Sequence, residues 1–370
     1  DIIPISLNTL YINLSHLEHN YHHIRSIIGS NVKLMGVVKA NAYGGSDVEI
    51  AAHLQKIGVD YLAVATAQEG KQLRQNNIEV PILVFYPQFV NLETLFEFEL
   101  EPSIYSFSLW DHLIEWTGRK KIKNHPIHLK FNTGMNRLGF ELNQITELKE
   151  KLSNSVFDIR SIYSHLGYSQ ESSPFDLIDR QTEKFKKVVE EFTDHFTERP
   201  LFHLINTSGV FNRPDLTFDM VRCGIGLYGY ANHSRWDQSL KSVMKLESKI
   251  MQIRHVKKGE YIGYDKAYRY EKDGRIAILP LGYADGISRH SGNQKNKVWI
   301  NGHLAPIIGN VCMDLLMIDV THIDCQEQDT VEFFGTHQST SLFAENSGII
   351  SYEQLSNIGS RIKRKVIDHL

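Results

Sequence analysis

The sequence predicts an α/β protein, with an N-terminal (β/α)8 barrel of the TIM type in residues 1–236 and a C-terminal mainly-β domain in residues 237–370. Short apolar runs alternate with helical patterns through the first part of the chain, and beyond about Trp236 short β-prone segments joined by turns replace them. The eight runs predicted as barrel strands are Leu34–Val38, Tyr61–Ala65, Ile82–Tyr86, Ser103–Ser106, Ile127–Phe131, Ile159–His165, Leu201–Ile205 and Met220–Ile225.

Strict alternation of strands and helices predicts parallel strands joined by right-handed crossovers. An open doubly wound sheet is the alternative architecture. That fold usually carries a glycine-rich dinucleotide-binding sequence after its first strand, which this chain lacks. A span of roughly 200 residues suits a closed barrel better.

A short extended segment, Tyr11–Asn13, and an amphipathic helix precede the first barrel strand. The helix is predicted from apolar residues that recur every three or four positions, namely Leu14, Leu17, Tyr21, Ile24 and Ile28. The same spacing marks a later helix, in Phe185, Val188, Val189 and Phe192.

The second domain is predicted from strand-like segments at Val243–Val256, Arg275–Leu281, Val298–Ile300, His303–Ile308, Leu315–Val320 and Val331–Phe334. Asn301-Gly302 separates two of them. This dipeptide favours the tight turn of a two-residue β-hairpin.

Composition narrows the class of ligand. The chain has 370 residues, of which 42% are hydrophobic and 22% charged, and its net charge is -3. Without a block of like charges, we expect a small-molecule ligand rather than nucleic acid or an anionic membrane. The chain has three cysteines, a small and odd number that argues against a disulfide framework. A reducing compartment is therefore expected, and the cytoplasm is the default. The sequence contains no run of 18 apolar residues, so we expect no membrane span within this chain.

Polar residues lie at or just after the carboxyl ends of predicted barrel strands. They are Lys39, Lys130, Asn132, Arg137, His165, Asn206, Thr207, Ser208 and Arg222. The carboxyl ends of parallel barrel strands share one face, where the active sites of such barrels lie. Lys39 directly follows a buried strand. Burial disfavours the ammonium form, so the pKa of this amine can fall toward neutrality and the amine can act as a nucleophile or proton acceptor.

Seven segments together resemble the alanine racemase family, whose enzymes use pyridoxal 5'-phosphate (PLP). They are Val37–Gly44 (VVKANAYG), His128–Phe140, His203–Gly209, Asp219–Gly229, Ile262–Asp265, Leu281–Gly286 and Asn310–Asp314. The resemblance implies that Lys39 holds PLP as an imine and that racemisation follows a two-base mechanism. It further implies cofactor contacts for Tyr43, Arg137, His165, Asn206, Thr207, Arg222, Gly224 and Ile225.

The resemblance also implies roles for supporting residues. Arg137 would reach both the cofactor's phenolic oxygen and the substrate carboxylate. Lys130 matches a lysine that is often carbamylated in the family, and His203 would support Arg222. Asn132 stands where many members carry an aspartate. No metal is expected.

In the second domain, Tyr264 matches the second catalytic base, Tyr283 and Met313 match substrate-site residues, and Asp314 is a supporting residue. In the family these groups enter the barrel of the partner subunit, so the resemblance implies a homodimer with shared active sites. The product would be D-alanine for peptidoglycan. Three alternatives remain: a serine racemase, a non-catalytic PLP carrier protein and a PLP decarboxylase. Arg222 argues against the decarboxylase, which should place an acidic residue at the pyridine nitrogen.

Overall fold

The computed structural model describes residues 7–153, 155–167, 175–231 and 234–368. Eight parallel strands form a closed barrel, which confirms the predicted fold. They are β2 to β9 in chain order, the first strand of the protein being β1 (Thr9–Asn13). Their bounds are β2 (Lys33–Val37), β3 (Tyr61–Val64), β4 (Ile82–Val84), β5 (Glu101–Ile104), β6 (His125–Lys130), β7 (Phe157–Tyr163), β8 (Leu201–His203) and β9 (Met220–Cys223).

Helices connect the barrel strands and cover their outer face. They are α1 (Leu14–Ile28), α2 (Lys39–Gly44), α3 (Asp47–Lys56), α4 (Ala67–Gln75), α5 (Leu92–Glu97), α6 (Phe107–Lys120), α7 (Ile145–Ser153), α8 (Phe175–Thr193), α9 (Thr207–Asn212) and α10 (Ser234–Asp237). Helix α1 forms as its spacing predicts. It begins after Asn13, whose side chain accepts a hydrogen bond from the His16 amide, and it buries Leu17, Tyr21 and Ile24 against the barrel.

The second half of the chain contains the remaining strands, which are β10 (Met244–Lys249), β11 (Gln252–Val256), β12 (Tyr261–Ile262), β13 (Tyr268–Arg269), β14 (Gly274–Leu279), β15 (Lys297–Ile300), β16 (His303–Ile308), β17 (Leu316–Asp319), β18 (Thr330–Phe334) and β19 (Lys363–Ile367). Most of them form a nine-stranded sheet with the order β11-β14-β17-β16-β15-β18-β10-β1-β19. The Asn301-Gly302 hairpin is confirmed, since both residues have positive φ, at 45° and 86°. Strand β19 and helices α11 (Thr340–Asn346) and α12 (Ser351–Ser356) were not predicted.

Strand β1 does not join the barrel that follows it in the sequence. It pairs antiparallel with β10 and parallel with β19, so the first strand of the chain lies inside the sheet of the second half. Leu10 and Ile12 are fully buried there. The domain boundary between residues 236 and 237 stays a prediction. Strand β1 belongs to the first domain by sequence and to the sheet of the second half by pairing. Each helix within the described ranges is too short or too polar to span a membrane.

Candidate active site

A cavity of about 320 Å³ lies at the carboxyl ends of the barrel strands. Its lining includes ten residues predicted for the site: Lys39, Tyr43, Lys130, Arg137, His165, Asn206, Thr207, Arg222, Gly224 and Ile225. They come from both ends of the barrel sequence, and only barrel closure brings them together. Its volume is within the usual range of small-molecule sites.

Lys39 begins a turn of unusual handedness. Ala40, Asn41, Ala42 and Tyr43 all have φ between 49° and 58°, so α2 is a left-handed turn. This conformation costs non-glycine residues roughly 1–2 kcal/mol each, and such strain concentrates at functional sites. The turn is held at its start, where the Ala40 amide donates a 2.9 Å hydrogen bond to Glu69 Oε1. It fixes the backbone that carries Lys39.

The end of the same turn is held by an aromatic pair. The ring of Tyr43 lies 4.7 Å from that of Tyr228, whose hydroxyl donates a 2.9 Å hydrogen bond to the Val37 carbonyl. Gly224 leaves room for the Tyr43 hydroxyl, because a Cβ at position 224 would lie 2.1 Å from that oxygen. Any larger residue at position 224 would displace the Tyr43 ring.

The lining amines share a strongly cationic environment. Burial lowers the pKa of Lys39, and the nearby charge of Arg137 lowers it further, against a smaller opposing effect of Glu69. Burial and the charges of Arg137, Arg222 and Lys39 lower the pKa of Lys130 to about 7. Both amines are therefore more readily deprotonated than surface lysines, and a neutral amine is the nucleophilic form.

Arg222 is buried and bonded to neutral acceptors. Its guanidinium donates to His203 Nδ1 at 2.7 Å and to His165 Nδ1 at 3.1 Å. It also donates to the Ser164 and Leu204 carbonyls, at 2.8 and 3.0 Å. Burial lowers the pKa of Arg222 only to about 10, so it stays cationic near neutrality. Among the described residues that line the cavity none is acidic, so this charge is available to an anionic or electron-rich ligand.

A hydroxyl and a short helix form the wall between β8 and β9. Asn206 caps α9, its side-chain oxygen accepting a 3.1 Å hydrogen bond from the Gly209 amide. Thr207 follows it, and its hydroxyl accepts a 3.2 Å bond from the Gly226 amide. Polar groups after the seventh and eighth barrel strands, which are β8 and β9 in this protein, form the phosphate site of many barrels. The donor set of this wall, together with the amine of Lys39, fits a phosphorylated aldehyde such as PLP.

The cavity also contains residues that sequence reasoning missed, notably Tyr163 and Tyr352. Tyr163 stacks on His203 with ring centroids 4.7 Å apart, and its hydroxyl is 2.7 Å from Ser103 Oγ. Its position two residues before His165 in the run predicted as one strand was a usable signal, because alternate residues of a strand share a face. Tyr352 comes from α12, far along the chain, and had no local signal. Val37, Phe85, Tyr86 and Leu138 complete the lining.

His203, predicted as a partner of Arg222, is fully buried outside the described cavity lining, and its Nδ1 accepts a hydrogen bond from Arg222. The second-domain residues predicted for the site are not among the described residues that line the cavity of their own chain. Tyr264, Tyr283 and Met313 are 68%, 46% and 54% exposed. A backbone bond joins the loops of Tyr283 and Met313, since the Tyr283 amide donates to the Cys312 carbonyl at 3.0 Å, and the Asn310 side chain donates to the Tyr264 carbonyl at 3.3 Å. Asp314 accepts a 2.7 Å bond from Arg361.

Comparisons with known proteins agree with this geometry. Family models described as the N-terminal and C-terminal domains of alanine racemase match residues 12–232 and 243–366. The alanine racemase of Clostridium kluyveri is 36% identical, with 96% of this chain and 93% of that protein covered. The alanine racemase structure from Clostridium difficile 630 is similar with a TM-score of 0.91 and 32% identity, covering 99% of this chain and 97% of that one.

The alanine racemase structure from Bartonella henselae, described as having covalently bound pyridoxal phosphate, has a TM-score of 0.87 and 29% identity and covers 98% of this chain and 100% of that one. Sequence models, relatives and structures thus agree over nearly the whole chain. The chain therefore belongs to the alanine racemase family of PLP-dependent isomerases.

Proposed function

We propose that this protein interconverts L- and D-alanine with PLP attached to the Nζ atom of Lys39. One observation carries the proposal: Lys39, a half-buried lysine of lowered pKa, shares a cavity with Arg222, a cation bonded only to neutral acceptors among the described residues. The D-alanine product would supply peptidoglycan synthesis.

The residues divide the work of moving one proton. Bound PLP withdraws electrons from the Cα atom of the amino acid and so weakens its Cα–H bond. Inversion needs a base on each side of Cα, and Lys39 Nζ would hold or return the proton on one side. Tyr264 Oη would do so on the other. Arg137, a planar fork of donors, would orient the substrate carboxylate.

Arg222 would act as a fixed donor at the far end of the cavity. Because its guanidinium stays charged, Arg222 offers only N–H donors. A protonated ring nitrogen of the cofactor would therefore find no hydrogen-bond acceptor there. Thr207, Gly224 and Ile225 would hold the phosphate, and Tyr43 and His165 would pack against the cofactor. Lys130 would support Arg137.

Tyr264, Tyr283 and Met313 would act in the cavity of a second copy of the chain. This is supported by their exposure on loops that hydrogen bonds connect and by their absence from the described lining of their own chain's cavity. The proposed homodimer would contain two equivalent sites, each with Lys39 from one chain and Tyr264 from the other.

A chiral product assay tests the activity and its substrate together. Purified protein with added PLP is incubated separately with L-alanine and L-serine, and the D-enantiomer is measured by chiral chromatography. We expect D-alanine to form faster than D-serine. Faster D-serine formation would make the protein a serine racemase, and no D-product despite bound PLP would favour the carrier protein.

Two lysine variants show whether the product depends on the proposed site. Lys39→Ala should abolish D-alanine formation and covalent PLP attachment, which is followed by visible absorbance. Lys56→Ala removes an exposed lysine of α3 and should behave as wild type. Full activity in Lys39→Ala would refute the assigned role.

A further inference from the structure

A buried chain of polar side chains crosses the barrel beneath Arg222. It contains one residue from each of five consecutive strands: Glu101, His128, Ser161, His203 and Arg222. The histidines and Ser161 are fully buried, and Glu101 and Arg222 are only 6% and 3% exposed. Such a buried network is stable only when its donors and acceptors match.

Successive members are within hydrogen-bond distance. Glu101 Oε2 is 2.7 Å from His128 Nε2, and His128 Nδ1 is 2.6 Å from Ser161 Oγ. Ser161 Oγ is 2.8 Å from His203 Nε2, and His203 Nδ1 is 2.7 Å from Arg222 Nη1. Four hydrogen bonds therefore link a carboxylate to a guanidinium through two imidazoles and a hydroxyl.

The charged ends determine the direction of every bond. Arg222 can only donate, so His203 Nδ1 must accept, and a neutral His203 carries its proton on Nε2. That N–H donates to Ser161 Oγ, which leaves the Ser161 hydroxyl proton for His128 Nδ1. His128 then carries its own proton on Nε2 and donates it to the Glu101 carboxylate, which can only accept.

The reverse direction fails at the arginine. If Ser161 donated to His203 Nε2, a neutral His203 would carry its proton on Nδ1, opposite an N–H of Arg222. Two donors would then face each other in a buried position, and each would lack an acceptor. Protonation of His203 creates the same conflict. Burial and the charge of Arg222 accordingly lower the pKa of His203 well below its usual range.

We propose that Glu101, His128 and Ser161 are positioning residues that hold His203 as the neutral Nε2–H tautomer and thereby give Arg222 a fixed acceptor. These three residues are not among the described residues that line the cavity, and they act only through His203 and Arg222. The tautomers follow from the hydrogen bonds alone. The consequence for catalysis rests on the proposed function, in which Arg222 contacts the cofactor.

Nitrogen NMR tests the tautomers without relying on activity. Full-length, PLP-loaded protein labelled with ¹⁵N-histidine is compared with His128→Gln and His203→Gln variants, which assign the two rings. Ring-nitrogen shifts and couplings to the carbon-bound protons distinguish protonated from unprotonated nitrogen. We expect both rings to be Nε2–H near neutral pH. An Nδ1–H or doubly protonated form of either ring would overturn the proposal.

Serine variants test the link between the two rings. Ser161→Ala should shift the His128 Nδ1 signal and speed solvent exchange of the His203 Nε2–H proton, whereas Ser161→Thr should restore both signals. Ser248→Ala removes an equally buried hydroxyl from β10 and should change neither. If Ser161→Ala also leaves both signals unchanged, no continuous chain exists. If it does not fold, the wild-type tautomers and Ser161→Thr still decide the question.

The catalytic consequence is measured separately. If Arg222 needs its fixed acceptor, Ser161→Ala should lower kcat about tenfold, the effect of losing roughly 1.4 kcal/mol of transition-state stabilisation, with Ser161→Thr near wild type. Unchanged kcat in a Ser161→Ala variant that has lost the His203 signal would refute the positioning role. A wild type that racemises nothing would refute the proposed function and leave the tautomer result intact.

Discussion

Lys130 lies among cations, and the described residues that line the cavity include no carboxylate. Its Nζ atom is 5.7 Å from the centre of the Tyr163 ring, and the charges of Arg137, Arg222 and Lys39 add to the effect of burial on its pKa. Deprotonation relieves this repulsion. A neutral amine here is also the form that carbamylation would require, which is consistent with the role implied by the family.

The lowered pKa of Lys130 predicts a pH dependence of stability. Between pH values of about 7 and 10.5 the unfolded chain binds a proton at this lysine that the folded chain does not. The free energy of unfolding should therefore rise with pH in this window, by up to about 1.4 kcal/mol per pH unit. Below pH 7 both states bind the proton, and the penalty is complete.

Lys130→Met should remove this contribution. We expect the variant to have a higher Tm than wild type at pH 6.5 and a smaller advantage at pH 9.5, in bicarbonate-free buffer that prevents carbamylation. Thermal unfolding followed by circular dichroism at both values measures the difference. A constant difference in Tm would show that Lys130 does not lose its proton in this window.

Asn132 organises the loop that carries Arg137. Its Oδ1 accepts hydrogen bonds from the Gly134 and Asn136 amides at 3.1 and 2.9 Å. Its Nδ2 donates to Glu141 Oε1 at 2.7 Å. An aspartate could replace only the accepting half of this arrangement. Asn132 stands where many family members carry an aspartate. Its amide thus suits this chain, because the neighbouring Glu141 carboxylate can accept a hydrogen bond from it.

Asn132→Asp should therefore weaken the site, even though it restores the common family residue. Two carboxylates would face each other across the present hydrogen bond, so we expect a severalfold loss of kcat/KM that lessens at high salt. Steady-state kinetics at two ionic strengths measures it. Adding Glu141→Gln should restore activity, while Glu141→Gln alone should be nearly neutral. A fully active Asn132→Asp would show that the donated bond is unimportant.

At the scale of elements, the left-handed turn α2 is the longest run of positive-φ residues in the described part of the barrel. The rest of the connection is ordinary, since α3 is a regular right-handed helix with the acidic residues Asp47 and Glu49 in its first turn. Strain in α2 is maintained by contacts at both ends, with Glu69 at Ala40 and the Tyr228 ring at Tyr43. We interpret it as the cost of holding Lys39 in place.

Two alanine-to-glycine changes should have opposite effects on stability. Ala40→Gly relieves a left-handed alanine, so the free energy of unfolding should be unchanged or rise by about 1 kcal/mol after the entropy gained by the unfolded chain is included. Ala52→Gly, on the exposed face of α3, should lower it by about 1 kcal/mol. Urea unfolding compares the two.

The same turn should control activity. Ala40→Gly frees the backbone beside Lys39, so we expect a lower kcat despite equal or greater stability. Ala52→Gly should leave kcat near wild type. If both variants are destabilised alike, the turn at Ala40 is not strained in solution.

At the scale of the whole molecule, the two halves of the chain are tied together. Strand β1 crosses into the second sheet, and Tyr352 of α12 reaches the barrel cavity. Tyr352 of the second half thus contributes to the cavity of its own barrel. Its other loops, with Tyr264, Tyr283 and Met313, stay exposed, which is the basis of the proposed shared sites.

Mixing two inactive variants should restore activity if the sites are shared. In a heterodimer of Lys39→Ala and Tyr264→Ala chains, one site would receive both wild-type residues. Random subunit exchange makes half the dimers heterodimers with one working site of two, so about a quarter of wild-type activity is expected. D-alanine formation after exchange measures it.

A double variant is the matched control for this experiment. Mixing Lys39→Ala with Lys39→Ala/Tyr264→Ala chains leaves every site without Lys39, and no activity should return. Failure of the first mixture despite exchange shown by mass spectrometry would place Lys39 and Tyr264 in sites of one chain.

Sequence patterns predicted the fold, the family and the cavity lining closely because the relevant signals are local. Most barrel strands are rich in apolar residues, and Lys39, His165 and Arg222 occur at or near the carboxyl ends of such strands. Strand β19 escaped prediction because its residues Lys363–Ile367 are mostly charged and partly exposed. The position of β1 escaped because strand pairing is not encoded by the strand alone.

The sequence by itself determined which side chains end each barrel strand, since a buried strand needs apolar residues and its exit can carry polar ones. The tertiary structure alone decided what those side chains do to one another. Barrel closure places Arg137 near Lys39 and Lys130 and lowers the pKa of both amines, and it aligns Glu101 with Arg222 across five strands. Electrostatic coupling depends on distance and burial, which residues far apart in the sequence acquire only when the barrel closes.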